Sequence, residues 1–99
     1  MPLFVMIGRD GPEGLARRPS VRPRHLAHIA PLDREGRIIV AGPILDEKTD
    51  QPRGSVIVFE APTLEEARAI AARDPYVTEG VFAGYDLYPF KQVFPEPSA

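Results

Sequence analysis

The sequence has no cysteine, no long apolar run and little net charge, and each absence removes a class of function. Without cysteine among its 99 residues, the chain has no disulfide, thiolate nucleophile or cysteine metal ligand. No apolar run approaches the roughly 20 residues that cross a bilayer. The net charge of −2 provides no overall field that would hold nucleic acid or an anionic membrane. We therefore expect neither of these as a partner.

The length and composition predict one domain over residues 1–99. Hydrophobic residues make up 43% and charged residues 26%, which is ordinary for a globular protein. The opening residues, MPLFVMIGRD, lack the basic start and the small-residue cleavage site of a signal peptide, so we expect a cytoplasmic protein.

Apolar runs and turn residues predict the element order βαββαβ. The predicted strands are short and rich in β-branched and aromatic residues, and they cover residues 2–10, 37–45, 55–61 and 81–90. The first predicted helix begins at a Ser20 cap and ends near Glu35, where Gly36 stops it. A Thr63 cap with Glu66 three residues later begins the second helix. Residues 11–19 and 46–54 are predicted to be loops.

This order predicts a ferredoxin-like α+β fold. The simplest packing is a four-stranded antiparallel sheet of order 4-1-3-2 with two helices on one face. Pro43 and Pro89 fall in the second and fourth strands, the predicted edges, where proline is tolerated. The uncovered face keeps apolar residues, so we expect a homodimer with the two sheets packed together.

The same topology brings distant segments to one end of the sheet. They are Gly8 to Asp10, Ser20 to His25, Ala41 to Pro43, and Asp74 to Tyr76. This end offers a histidine, a carboxylate, arginines and a glycine that lets a ligand approach the backbone. We expect the opposite end to carry mainly the solvated charges of the loop at 46–54.

The segment SVRPRHLAHI, residues 20–29, contains both histidines of the chain. Imidazole titrates near neutral pH, so His25 is a candidate general acid or base. The alternative is a histidine packed at the sheet edge. His28 lies three residues later, a spacing that can chelate a metal, but no third ligand is fixed. We interpret His28 as partly exposed and expect no metal site.

Asp74 also has two interpretations. Followed by Pro75, it is a typical N-cap with proline at the first helical position. It is also the candidate partner that orients the His25 imidazole. Both roles can coexist if one carboxylate oxygen caps the helix while the other faces the histidine.

The remaining candidates concern ligand binding. Arg22 is the first candidate for holding an anionic group and Arg9 the second. The other candidate binding residues lie near the same end and are Ser20, Gly42, Pro43 and Tyr76. Ser20 is favoured as a cap over a nucleophile. A solvated loop is the favoured interpretation for the other three arginines of the cluster, Arg17, Arg18 and Arg24.

Four segments, SVRPRHLAHI, EGRIIVAGP, DPYVTEGVF and PFKQVF, together resemble the YciI-like (YCII-related) family, in the same order over nearly the whole chain. The resemblance implies a dimeric ferredoxin-like α/β fold similar to muconolactone isomerase. It also implies an active site built on a histidine and an aspartate, which by motif fall on His25 and Asp74. One branch of the family resembles a dehydrochlorinase acting on a chlorinated hydroquinone. Nothing in the loop DEKTDQPRG assigns this chain to that branch.

The sequence contains no phosphate-binding glycine loop and no nucleophile elbow. The first hypothesis is therefore a cofactor-free lyase or isomerase. In it, His25 moves a proton on a small anionic cyclic or aromatic substrate while Asp74 orients the imidazole. The second hypothesis is a non-catalytic ligand-binding or assembly module that uses the same dimer.

Overall fold

The computed structural model describes residues 1–97. Its strands are β1 (Leu3–Asp10), β2 (Ile38–Leu45), β3 (Pro52–Glu60) and β4 (Phe82–Phe90). Its helices are α1 (Gly14–Arg34), α2 (Leu64–Ala72) and the single turn α3 (Pro75–Thr78). Within this part of the chain, no helix is long and apolar enough to cross a membrane.

The strands form one antiparallel sheet of order β2-β3-β1-β4, which confirms the predicted order. At the centre of the sheet, Met6 of β1 is opposite Ile57 of β3 and Leu87 of β4. Pro43 and Pro89 lie in the two edge strands, as predicted, because proline cannot donate to a second neighbour.

The hydrophobic core lies between one face of the sheet and the helices. Alternate residues of the central strands, Phe4 and Met6 of β1 and Ile57 and Phe59 of β3, point into it. They pack with small and branched residues of the helices, Val21, Ala67 and Ala71. All four strand residues are at most 5% exposed. The sheet is thus covered on this face and uncovered on the other.

Helix α1 begins at Gly14, six residues before the predicted Ser20 cap, so the predicted loop at 11–19 is wrong over most of its length. Ser20 lies inside the helix, and its hydroxyl donates to the carbonyl of Arg17 at 3.1 Å. Residues three, four or seven apart are buried along one face of the helix, namely Arg18, Val21, His25 and Leu32. The packing of this face outweighs the local helix-breaking tendency of the prolines at 19, 23 and 31.

The end of α1 confirms the predicted stop at Gly36. This glycine has a φ of +71°, a left-handed conformation that other residues adopt at a cost. The N–H of Gly36 donates to the Asp33 carbonyl at 3.0 Å, and the N–H of Arg37 donates to the Leu32 carbonyl at 2.8 Å. These two bonds form a Schellman motif, which satisfies carbonyls that the helix itself leaves unpaired. The chain is thereby turned into β2.

The hairpin between β2 and β3 corrects one expectation about the ends of the sheet. Leu45 is opposite Pro52, and Gly54 is opposite Arg9 near the end of β1. The hairpin therefore lies at the same end as the C-terminus of β1, because β1 and β2 run in the same direction. The expectation that this loop lies at the opposite end is wrong.

Candidate active site

A cleft of about 660 Å³ opens between α1 and the β2–β3 side of the sheet. It exists because α1 packs on β3 and α3 and leaves the edge strand β2 exposed. Its wall combines apolar side chains with a few polar ones, among them Arg18, Arg22, His25, Gly42, Pro43, Ser55, Ile57 and Tyr76. Its volume and its mixed lining are typical of a site for a small organic ligand.

His25 and Asp74 meet at the wall of this cleft, although 49 residues separate them. The imidazole Nδ1 lies 2.8 Å from the carboxylate Oδ1 of Asp74. The two side chains are 9% and 1% exposed. The histidine comes from the fourth turn of α1, and the aspartate comes from the junction of α2 and α3. The structure therefore brings together the two residues that topology and family resemblance had paired.

Asp74 is fixed by a second bond at the same oxygen. Oδ1 also accepts the backbone N–H of Tyr76 at 2.9 Å, which confirms the predicted N-cap with Pro75 at the first helical position. The expectation that the two carboxylate oxygens divide these roles is wrong. Oδ2 is sealed from solvent and has no hydrogen-bond partner among residues 1–97. The N-cap bond at the start of α3 thus fixes the position of the carboxylate that contacts the imidazole.

This geometry assigns the proton on the His25 ring. An ionised carboxylate only accepts hydrogen bonds, so the Nδ1 atom of His25 carries the N–H that faces Asp74. In the neutral ring, Nε2 is then a free lone pair. It makes no hydrogen bond within the described chain, and it is not sealed, because Asp74 Oδ2 is the only sealed side-chain N or O atom there without a partner. His25 lines the cleft, and its Nε2 has no hydrogen-bond partner among residues 1–97.

Tyr76 supports the imidazole from one side. The two rings stack 3.9 Å apart with an angle of 9° between their planes. Phe82 in turn contacts the Tyr76 ring edge-on at 5.5 Å. Burial raises the pKa of the Tyr76 phenol despite the nearby guanidinium charges of Arg18 and Arg22, so the phenol is neutral at neutral pH. Tyr76 is a buried residue that forms part of the wall of the cleft.

Arg18 is the site residue that sequence reasoning missed. It is 7% exposed and forms a two-pronged ion pair with Asp10, in which Nε and Nη2 donate at 2.7 and 2.8 Å. Burial opposes its charge, but the hydrogen bond and the charge of Asp10 outweigh burial and raise the pKa of Arg18. The interpretation of Arg18 as a solvated loop residue is wrong. The available signal was its seven-residue spacing from His25, which places both on one face of a helix that begins before Ser20.

The other predicted binding residues divide into two groups. Arg22, Gly42 and Pro43 line the cleft. The structure does not bring Ser20 and Arg9 there. Ser20 is exposed on α1, away from the cleft. Arg9 forms an exposed ion pair with Asp86 on the uncovered face of the sheet.

His28 packs between α1 and α2. His28 is half-buried, and its Nε2 lies 2.9 Å from the Ile70 carbonyl, which can only accept. Nε2 therefore carries the N–H in this ring, and His28 secures α1 to α2. Within residues 1–97, no three histidine, aspartate or glutamate side chains are grouped so that they could hold a metal ion.

Known structures share this fold. The chain resembles 5-chloro-2-hydroxyhydroquinone dehydrochlorinase (TftG) from Burkholderia phenoliruptrix, solved in complex with 2,5-dihydroxybenzoquinone, with a TM-score of 0.81 and 30% identity. That alignment covers 90% of this chain and 93% of the dehydrochlorinase. SnoaB, a cofactor-independent oxygenase from Streptomyces nogalater, aligns with a TM-score of 0.60 over 97% of this chain and 100% of its own. At 14% identity, this second likeness shows the fold alone.

Sequence relatives identify the family. Protein YciI of Escherichia coli is 40% identical over 97 residues, which cover 93% of this chain and 99% of that protein. The model of the YCII-related domain matches residues 2–91, nearly the whole chain. With the sheet order, the cleft and these matches together, the chain belongs to the YCII-related (YciI-like) family.

Proposed function

We propose that this protein is a small cofactor-independent enzyme of the lyase or isomerase type, in which His25 moves a proton on a small anionic ring compound. The observation that carries the proposal is the unbonded Nε2 of His25 at the wall of the cleft, with Nδ1 held by Asp74 at 2.8 Å. A histidine oriented by a carboxylate through its far nitrogen is the usual arrangement for general-base catalysis.

The chemical step uses the two ring nitrogens differently. Nε2 takes a proton from a C–H or O–H group of the substrate, and the electron pair of that bond stays on the substrate. The imidazolium that forms keeps its Nδ1–H on Asp74, whose negative charge stabilises it. Nε2 then returns the proton to another substrate atom in an isomerisation, or to a departing group in an elimination. The two proton transfers together need no oxidant and no metal ion.

The cleft suits a ring-shaped anion. Ile29 and Ile57 supply apolar wall, while Arg18 and Arg22 supply positive charge. Burying the faces of a planar ring against such a wall is favourable at about 25 cal/mol per Å² of apolar surface. The related dehydrochlorinase is named for a chlorinated hydroxyhydroquinone and binds a dihydroxybenzoquinone, and the hydroxylated six-membered rings of both compounds support the proposal.

We also propose that the uncovered face of the sheet joins two copies of the chain. Its residues alternate with those of the core and are largely apolar, namely Leu3, Val5, Ile7, Val40, Ile44, Val56, Val58, Tyr88 and Phe90. Tyr88 and Phe90 are 52% and 43% exposed in the single chain. A contiguous apolar patch of this kind is rare on a monomer.

Sedimentation equilibrium tests the dimer. We expect a mass twice the 10.9 kDa of the chain. The Val5→Glu variant places a charge at the centre of the patch and is expected to sediment as a monomer, because a buried unpaired carboxylate is strongly unfavourable. Ala72→Glu on the exposed side of α2 makes the same charge change and should remain a dimer. A wild type that sediments at 10.9 kDa contradicts the proposal.

Proton transfer is tested in heavy water. Hydroxylated quinones, phenols and unsaturated lactones are first screened for binding by their effect on the His25 ring signals in NMR spectra. Those that bind are then incubated with the protein in D₂O, and the loss of substrate proton signals is followed. The proposal predicts exchange or turnover of at least one binder above the rate in buffer. Binding without exchange for every ring compound points instead to the non-catalytic ligand-binding module.

A further inference from the structure

We propose that Arg18 anchors the substrate through Nη1 and that it recognises a single ionised oxygen, as in a phenolate or an enolate. This inference rests on the proposed function and names the substrate class of the same site. Arg18 lines the cleft, yet only 7% of its surface is exposed, so its charged group belongs to a built site rather than to a solvated surface.

The guanidinium of Arg18 is held on several sides. Asp10 takes its Nε and Nη2 edge, and the Gly54 carbonyl accepts a further bond from Nη2 at 2.8 Å. The Tyr76 ring lies 4.9 Å below the guanidinium carbon, and the Phe82 ring lies 6.0 Å from it. A cation held in this way loses little conformational freedom when it binds an anion.

Counting the donors shows what remains for a ligand. A guanidinium has five N–H groups, one on Nε and two on each terminal nitrogen. Nε and one N–H of Nη2 bind Asp10, and Nη2 also reaches the Gly54 carbonyl and the Ser55 hydroxyl. Within residues 1–97, Nη1 donates no hydrogen bond of ordinary length and angle and is not sealed from solvent, and the Tyr76 hydroxyl makes only a weak contact with the guanidinium.

The N–H groups that remain on Nη1 favour one kind of anion over another. The strong arginine–carboxylate grip uses two parallel N–H bonds from two different nitrogens. Nε and Nη2 of Arg18 already form this pair of bonds with Asp10. A ligand can therefore accept only from the two N–H groups of Nη1. Such a donor suits one concentrated oxyanion better than the two oxygens of a carboxylate. A phenolate or an enolate has one such oxygen.

The distance to His25 limits the size of the ligand. The Arg18 guanidinium and the His25 imidazole both contact the ring of Tyr76, at 4.9 and 3.9 Å from its centre. One six-membered ring with its substituents is therefore large enough to reach both groups. Its ionised oxygen meets Nη1, while an acidic C–H or O–H group faces the lone pair of Nε2.

Arg22 provides the contrast within the same cleft. Its side chain is exposed and makes no hydrogen bond within the described residues. An exposed, mobile cation attracts anions at long range, and salt screens that attraction. It does not select among anions as a fixed donor does.

The test compares three probes of one shape by isothermal titration calorimetry: 4-nitrophenolate, 4-nitrobenzoate and nitrobenzene. The wild type is expected to bind the phenolate at least about tenfold more tightly than the other two, since a charge-assisted hydrogen bond contributes this much or more. Binding should also shift the yellow phenolate colour of 4-nitrophenol to lower pH, because the site favours the ionised form. This colour shift needs no variant.

Variants assign the effect to Arg18. Arg18→Met is expected to weaken phenolate binding about 10- to 100-fold and to leave nitrobenzene binding within about twofold. Because this variant leaves Asp10 buried and unpaired, the double variant Arg18→Met/Asp10→Asn removes both charges and protects the fold. Arg68→Met removes an exposed arginine of α2 that does not line the cleft, so it is the matched control and should change phenolate binding by less than about threefold at 0.15 M salt.

Two outcomes overturn the proposal. One is a wild type that binds 4-nitrobenzoate as tightly as 4-nitrophenolate, and the other is a folded double variant that keeps its phenolate affinity. Both are binding results, so they are separable from catalysis. If the protein shows no preference for phenolate but still catalyses His25-dependent proton exchange, only the Arg18 proposal is wrong. If it prefers phenolate but catalyses no such exchange, only the catalytic proposal is wrong.

Discussion

Replacing His25 by alanine is expected to lower the rate of proton exchange in a bound ring compound by about 10²- to 10⁴-fold, which is the usual contribution of a positioned general base. Among residues 1–97 its Nε2 makes no hydrogen bond, and we expect no neighbouring group to substitute for it as the proton acceptor. The Tyr76 phenol, beside it at 3.9 Å, has a pKa that burial raises and stays neutral. Exchange measured by NMR in D₂O gives the rate directly.

Two further variants separate chemistry from folding. His25→Gln keeps an amide N–H that can bind Asp74, so it should fold well and exchange as slowly as His25→Ala. His28→Gln is the matched control, because a glutamine amide can still donate to the Ile70 carbonyl that His28 now binds. It should exchange at the wild-type rate. A His25→Ala protein that retains full exchange would falsify the proposed base.

Replacing Asp74 by alanine is expected to lower the free energy of unfolding by about 2–4 kcal/mol. The loss of an N-cap costs about 1 kcal/mol, and a buried donor without a partner costs about 1–3 kcal/mol more. Both effects apply, since Oδ1 accepts the Tyr76 N–H and faces the His25 ring in a site that is 1% exposed. For a chain of this length the melting temperature should fall by roughly 10–25 °C.

Asp74→Asn is the informative companion. Its side-chain oxygen can still accept from Tyr76 and from His25, so the melting temperature should fall by much less than in Asp74→Ala. The negative charge that stabilises the imidazolium is lost, and proton exchange should fall sharply. If Asp74→Asn melts near the wild type and exchanges at the wild-type rate, Asp74 is a helix cap only. Thermal unfolding followed by circular dichroism, with the D₂O assay, distinguishes these cases.

The sheet was predictable because its signals are local. Short apolar runs rich in β-branched and aromatic residues marked four strands, the element order gave their arrangement, and Pro43 and Pro89 marked the edges. The end of α1 was also predictable, since only a left-handed residue such as Gly36 completes the motif found there. Asp74 followed by Pro75 is a similarly local signal for the start of a helix.

The start of α1 was not predictable from local signals. Gly11, Pro12 and Pro19 are typical of a loop, while the helix is stabilised by the long-range packing of Gly14 and Arg18. Because the helix was predicted to start too late, Arg18 fell outside it and its partner Asp10 went unrecognised. For the same reason, Arg18 was not identified from the sequence as a candidate anion-binding residue.

Two other misplacements have simple geometric causes. Arg9 has the same strand parity as Val5 and Ile7, so it projects to the uncovered face, opposite to Met6 and Gly8. The alternation of side chains between the two faces of a strand would have excluded Arg9 from the cleft. The hairpin was placed at the wrong end although β1 and β2 were known to run in the same direction.

The decisive observation is the protonation pattern of the two histidines. Long-range ¹H–¹⁵N NMR spectra of histidine-labelled protein report which ring nitrogen carries the proton in the neutral form. The geometry predicts opposite patterns: Nδ1–H for His25, which faces Asp74, and Nε2–H for His28, which faces the Ile70 carbonyl. His28 is thus an internal reference in the same sample. Spectra that show Nε2–H on His25 as well would leave no lone pair facing the cleft and would contradict the proposed base.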